Sequence, residues 1–361
     1  MKEDKLQTAL FTPPLAAICL AGACCLIAAG CGDDGTNARL DAAAGDDSDV
    51  SPDSGVDAAL HDSQLPDGGQ QTSTDPDTEG PHEVSVREET LARSGREIPV
   101  AAHVPDIGGQ QPIPAIIFIP GFQLDSWRYE PLCTHLASHG FVVVRADPPD
   151  PMMGVDHVEM AADVSAVVDW VVGADSGLAD IVDGEQIGGM GHSLGGKVTA
   201  MTAYRDTRIK ALFGIDPVNG GNGPLGYDES HPDIVPDEVT PLTIPVGFAG
   251  ETTNATGGGF GSEACAPEDQ NFVTFYEAAT NASWRAMWLF VGADHMDFVD
   301  DTSSCYACTL CEEGTADPQA VRSACRTLAA AFFRLHLADQ TSMESWLAGS
   351  NLPPEVEATQ P

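Results

Sequence analysis

The stretch Gly188-Gly189-Met190-Gly191-His192-Ser193-Leu194-Gly195-Gly196 constrains the fold more than any other part of the chain. Gln186 to Met190 reads as a short buried strand, and Lys197 to Arg205 reads as a helix. A strand that passes into a helix through Gly-x-Ser-x-Gly makes a sharp turn with the serine at its apex. Such a turn strains the backbone of Ser193, and Gly191 and Gly195 leave space where side chains would collide. The hydroxyl then stands clear of the sheet, over a helix N-terminus that favours developing negative charge. A plain glycine-rich turn uses the same residues. The motif carries chemistry only if the rest of the chain adds a base, an acid and groups that bind an oxyanion.

The flanking pattern is one of strands alternating with helices. Val84-Ser85-Val86 alternates like an edge strand, and Ile98 to Val104 reads as a second strand, opened by Pro99. Ala115 to Ile119, Phe141 to Val144, Ile209 to Ile215, Pro245 to Ala249 and Ala286 to Val291 are short apolar runs of the kind buried on both faces. Helical spacing runs over Tyr129–His139, Val158–Val172, Glu268–Ala279 and Gln319–Leu337. This alternation predicts an α/β fold, a mostly parallel sheet flanked by helices on both faces.

Reactive groups in such a sheet lie beyond the C-terminal strand ends. Ser193, Asp216 and His295 each follow one. Ser…Asp…His is the chain order of the α/β-hydrolase fold. In that set the imidazole takes the serine proton during attack, and the carboxylate fixes the imidazole tautomer and stabilises the imidazolium. Asp216 follows the nucleophile by one helix and one strand. Glu251, after Pro245–Ala249, is a rival acid. His192 adjoins the nucleophile with its side chain turned away and reads as structural; His231 and His336 are weaker candidates for the base. Asp294 and Asp297 flank His295 and read as shaping its loop. Two backbone N–H groups are candidates for the oxyanion hole, that of Leu194 and that of Phe122 in the loop after Ala115–Ile119. Phe122, Trp127, Val218, Phe260 and Met296 are expected to line the pocket. The chemistry calls for no cofactor and no metal.

Composition sets the surroundings. Lys and Arg number 16 against 55 Asp and Glu, a net charge of −39 over 361 residues, which argues against nucleic acid as a partner. Residues 1–30 read as a lipoprotein signal peptide. The apolar run Leu15–Ala29 is about 15 residues, short for a membrane span and suited to a signal core. It ends in Ala28-Ala29-Gly30-Cys31, which resembles the lipobox of bacterial lipoproteins and makes Cys31 the expected lipidation site; an ordinary signal peptide or an uncleaved anchor is the alternative. Residues 31–81, acidic and poor in large apolar side chains, read as a disordered tether. Residues 82–340 form the expected catalytic domain and 341–361 a flexible tail. The expected location is the bacterial cell envelope, exported and held at the membrane by the lipid.

Six cysteines lie beyond Cys31: Cys133, Cys265, Cys305, Cys308, Cys311 and Cys325. Cys305-x-x-Cys308-x-x-Cys311 also has metal spacing, but export favours disulfides. The expectation is that this cluster pins the His295 loop to Cys265 and to Cys325 on the closing helix.

Several segments together resemble the chlorophyllases: Gly191-His192-Ser193-Leu194-Gly195-Gly196-Lys197, Gly214-Ile215-Asp216-Pro217-Val218-Asn219-Gly220, Ala264-Cys265-Ala266-Pro267-Glu268, and Asp294-His295-Met296-Asp297-Phe298-Val299-Asp300-Asp301, with His139-Gly140-Phe141-Val142-Val143 upstream. Platelet-activating-factor acetylhydrolases and bacterial cutinase-like polyester hydrolases are more distantly similar. The resemblance implies an α/β-hydrolase with Ser193 as nucleophile, Asp216 as acid and His295 as base, acting on a small-molecule or lipid-like ester. It favours Asp216 over Glu251. Leu194 departs from it, standing where chlorophyllases commonly have a basic residue, and so does Pro120, where a histidine usually precedes Gly-Phe. An inactive binding lipoprotein on a hydrolase scaffold, or a lipase or polyesterase of the same fold, are the alternative readings.

Overall fold

The computed structural model describes residues 74–360, apart from 110–111, 150, 152–153 and 258–263. Cys31 and Phe260 lie outside the described residues.

The described residues build one sheet of nine strands: β1 (Val84–Arg93), β2 (Arg96–Pro105), β3 (Ile113–Ile119), β4 (Val142–Ala146), β5 (Val182–His192), β6 (Ile209–Ile215), β7 (Val246–Glu251), β8 (Arg285–Phe290) and β9 (Val356–Thr359). Their order is β1-β2-β4-β3-β5-β6-β7-β8-β9. The six central strands run parallel, while β1, β2 and β9 pair antiparallel. The α-helices are α1 (Glu130–Ser138), α2 (His157–Val172), α3 (Leu194–Arg205), α4 (Phe272–Ala278), α5 (Pro318–His336) and α6 (Glu344–Ala348).

The apolar runs are continuous because both faces of the sheet are covered. In β3, Ile116 and Phe118 pack with residues of α1 and α5, whereas Ala115, Ile117 and Ile119 pack on the opposite face with residues of α2, α3 and α4. Burying one such phenylalanine contributes roughly 1.5–3 kcal/mol.

β1 extends well past the expected Val84–Val86. It is exposed along most of its length, so its sequence lacks an apolar face, and it is held by the tight turn Ser94-Gly95, where both residues have positive φ. Arg93 and Arg96, flanking that turn, both reach the fully buried carboxylate of Asp163 on α2, with Nε–O distances of 2.6 and 2.7 Å. This anchors the hairpin to the body.

Two expected boundaries differ. Residues 74–81, read as the end of the tether, pack on the domain: Arg334 donates to the Thr74 carbonyl at 2.7 Å, and the Gly80 N–H donates to Ser138 Oγ at 2.8 Å. The tail is also structured, since α6 packs on α5 and β9 adds a strand to the free edge of β8. Its backbone supplies that pairing, and the indole of Trp288 donates to the Leu347 carbonyl at 2.8 Å. Neither contact leaves a periodic signature in so short and polar a segment.

Candidate active site

β5 passes into α3 through Ser193, whose φ of 55° and ψ of −122° are costly for a residue with a Cβ. Hydrogen bonds hold the turn: the Ser193 N–H donates to the Ile215 carbonyl at 2.9 Å, and the Val218 N–H donates to the Ser193 carbonyl at 3.2 Å. Gly195 is required by close approach, because a Cβ there would lie 2.2 Å from the Ile119 carbonyl oxygen. The first N–H groups of a helix have no partner within it, and α3 begins at Leu194.

The neighbouring strand β6 ends at Ile215, paired with His192, so Asp216 emerges beside the elbow. Asp216 is fully buried, and its Oδ2 lies 2.6 Å from His295 Nδ1. An ionised carboxylate only accepts, so Nδ1 carries the proton and Nε2 keeps its lone pair. His295 opens a single 3₁₀ turn, His295–Phe298, after β8. Asp294 caps that turn, accepting from the Met296 and Asp297 N–H groups, and Asp297 accepts from the Asp294 N–H at 3.0 Å. The two flanking aspartates thus shape the loop.

His192 is fully buried and joins three parts of the site. Its Nε2 faces the His295 carbonyl at 3.0 Å and therefore carries the proton; its Nδ1 accepts from the Tyr129 hydroxyl at 2.7 Å. Burial, with His295 nearby, holds its pKa well below the ordinary histidine value, so it stays neutral. The Tyr129 oxygen also meets the backbone of Gly121. Gly121 itself leans on the elbow: a Cβ there would sit 3.3 Å from Ser193 Cβ and 3.2 Å from His192 Nδ1. The loop bearing Phe122 is therefore held against Ser193.

Glu251, the rival acid, is buried at the end of β7 and turns to the backbone, accepting from the N–H groups of Thr253 and Asn254. Asn254 Oδ1 in turn accepts from the His295 N–H at 2.8 Å. His231 binds Asp228 through Nδ1 at 2.8 Å and packs edge-on against His157, with ring centroids 4.7 Å apart. His336 lies among Trp284 and Phe332.

A cavity of about 450 Å³ opens at Ser193, lined among others by Phe122, Val155, His157, Leu194, Val218 and His231. Of the expected lining residues, Phe122 and Val218 are here. Trp127 and Met296 are not; the Trp127 indole donates to Asp125 and stacks under the Arg128 guanidinium. Tyr129, Asn254 and His157 escape a sequence reading, since each acts through partners far away in the chain.

The cysteines pair as Cys265–Cys311 and Cys305–Cys308, with Cα–Cα distances of 5.6 and 5.3 Å. Cys311 thus holds the segment after His295 to Cys265. Cys133 and Cys325 are buried free thiols, so the expected link to Cys325 is corrected: it sits on α5 in the core on the α1 side, and Cys305 closes on its near neighbour instead.

A strand–elbow–helix on a mostly parallel sheet, with an imidazole and a carboxylate at the following strand ends, defines an α/β-hydrolase. The chlorophyllase family model matches residues 78–356, and the chain belongs to that family. Chlorophyllase-1 of Arabidopsis thaliana is 30% identical over 270 residues, 66% of this chain and 76% of the relative. Chlorophyllase-1, chloroplastic, of Citrus unshiu is 31% identical over 195 residues, 52% of this chain and 56% of the relative. Chlorophyllase-2 of Arabidopsis thaliana is 28% identical over 206 residues, 52% and 61% respectively. The chain is accordingly a carboxylic ester hydrolase of the serine type.

Proposed function

We propose that Ser193, His295 and Asp216 form the catalytic triad and that hydrolysis passes through an acyl-enzyme. His295 Nε2 accepts the Ser193 hydroxyl proton as Oγ attacks the ester carbonyl carbon. The oxyanion is met by the Leu194 N–H, at the start of α3, and by the Phe122 N–H. His295 then passes its proton to the leaving alcohol, and the Ser193 acyl ester forms as the alcohol departs. Water, deprotonated by the same imidazole, attacks that ester, releasing the acid and restoring Ser193. The observation that carries this reading is the 2.6 Å bond between Asp216 and His295 beside the strained Ser193 turn.

The apolar side chains of Phe122, Val155, Leu194 and Val218 around the cavity suit an ester with a hydrophobic part. The named activity of the plant relatives makes pigment esters one class to try, beside lipid and polyester substrates. Lipidation at Cys31 and export to the cell envelope complete the proposal, on the strength of the lipobox-like Ala28-Ala29-Gly30-Cys31. Turnover of short p-nitrophenyl esters that is lost in Ser193→Ala supports the enzyme assignment. Absence of Ser193-dependent turnover at every acyl length tried contradicts it. Incorporation of labelled fatty acid that Cys31→Ala abolishes tests the anchor.

A further inference from the structure

Two carboxyl groups are buried at the ends of adjacent strands. Asp216 follows β6 and Glu251 ends β7, and the Asp216 N–H donates to the Ala249 carbonyl at 2.7 Å, two residues before Glu251. Among the described residues neither forms an ion pair with lysine or arginine; the partner of Asp216 is His295. Asp294, from the loop after β8, adds a third acidic group nearby, and its oxygens are engaged by the N–H groups of Met296, Asp297 and Gly314. Buried carboxylates side by side without a cation cannot all remain ionised.

The hydrogen bonds distinguish the two. Asp216 accepts the His295 N–H on Oδ2. Its Oδ1 is buried with no partner among the described residues. Glu251 carries no such donor from a titratable group; it accepts two backbone N–H groups, one of them that of Asn254 at 2.8 and 3.0 Å. Asn254 is itself fully buried, clamped between the His295 N–H at 2.8 Å and the Glu312 carbonyl at 2.9 Å. Glu251 thus holds, through Asn254, the loop that presents His295.

We propose that Glu251 is a positioning residue of the hydrolase site, holding the His295 loop through Asn254 as a neutral carboxylic acid, and that its ionisation turns the site down. The proposal rests on the triad reading above. Burial first, and then the charge of Asp216, push the Glu251 carboxyl up to about 8, in keeping with the geometry. Above that pH a second anion sits beside Asp216. The two carboxylates repel each other, which pulls Glu251 from the Asn254 N–H and loosens the hold of Asn254 on the His295 N–H. A site with a histidine base and no such acid keeps its rate on the alkaline side.

The test has two arms. Infrared difference spectra of the whole protein at pH 7, wild type minus Glu251→Gln, are expected to show a protonated-carboxyl stretch that titrates away near pH 8; its absence overturns the proposal whether or not any ester is turned over. In the second arm, p-nitrophenyl butyrate hydrolysis is followed against pH. Wild-type kcat/KM is expected to decline above about pH 8. Glu251→Ala is expected to lose about tenfold in kcat at pH 7 with KM little moved. Glu251→Gln, a neutral acceptor for the same N–H groups, is expected to recover most of that loss and to lack the alkaline decline. An alkaline decline that persists in Glu251→Gln overturns the proposal. If Glu251→Ala does not fold, the wild-type and Glu251→Gln profiles decide. If no variant turns over any ester, the triad reading fails, and the infrared arm still decides the state of Glu251.

Discussion

His192 Nε2 donates to the main-chain carbonyl of His295 at 3.0 Å, and the two imidazole rings lie with centroids 4.6 Å apart. His192, next to Ser193, thereby fixes the backbone of His295, while Asp216 fixes its ring. Tyr129 completes the connection to the Phe122 loop.

Tyr129→Phe should therefore leave the His192 Nδ1 lone pair buried and unmatched. Removing one buried partner costs about 1–3 kcal/mol. The expected result is a loss of that size in urea unfolding, together with about a tenfold fall in kcat as the Gly121-Phe122 loop loosens. A kcat equal to wild type would separate Tyr129 from the Gly121-Phe122 loop.

The buried histidines set an acid limit on stability. His103 is pushed down to about 4 by burial and Arg145, His139 to about 3 by burial and neighbouring cations, His157 to about 3 by burial and Lys197, and His336 to about 4 by burial. Between those values and 6.5 the unfolded chain binds more protons, so this stability is complete above about 6.5 and lost as pH falls through the window. Glu251, raised to about 8, and Asp297, raised to about 6 by burial, act oppositely, lowering stability as pH rises from the ordinary carboxylate range. The histidines outnumber them. The urea midpoint should rise from about pH 4.5 to 6.5, then decline more gently up to about pH 8. A midpoint that falls steadily over the whole range would contradict this.

The hairpin anchor is a separate structural prediction. Asp163→Ala leaves Arg93 and Arg96 without their shared carboxylate. Breaking a sealed pair costs about 3–5 kcal/mol. Both arginines reach solvent, so the expected loss is about 2 kcal/mol, with faster amide exchange in β1 and kcat near wild type. Unaltered exchange in β1 would show that the hairpin is held otherwise.

Peptide mapping without reduction should find Cys265 joined to Cys311 and Cys305 to Cys308, with Cys133 and Cys325 as thiols. A disulfide involving Cys325 would restore the link expected on sequence grounds. Reducing the Cys265–Cys311 bridge should cost roughly 2–4 kcal/mol.

The central strands and the elbow were legible because their signals are local: continuous apolar runs, glycines at fixed spacing, and a polar residue just past each strand end. Telling the two candidate acids apart needed more. Asp216 and Glu251 follow neighbouring strands, and only register and side-chain direction place one on His295 and turn the other to Asn254. Tyr129 resembles any helix-entry aromatic until it is seen against His192. β9 is short and mostly polar because its pairing is through backbone, and the partner of Cys311 depends on how two loops fold over each other.

The most direct test of the triad is labelling with a fluorophosphonate, which reacts with an activated serine, followed by peptide mass spectrometry. The account predicts one adduct, on the peptide containing Ser193, abolished by His295→Ala, reduced by orders of magnitude in Asp216→Asn, and far less affected by Glu251→Gln. An adduct on another serine, or Ser193 labelling indifferent to His295→Ala, would contradict it.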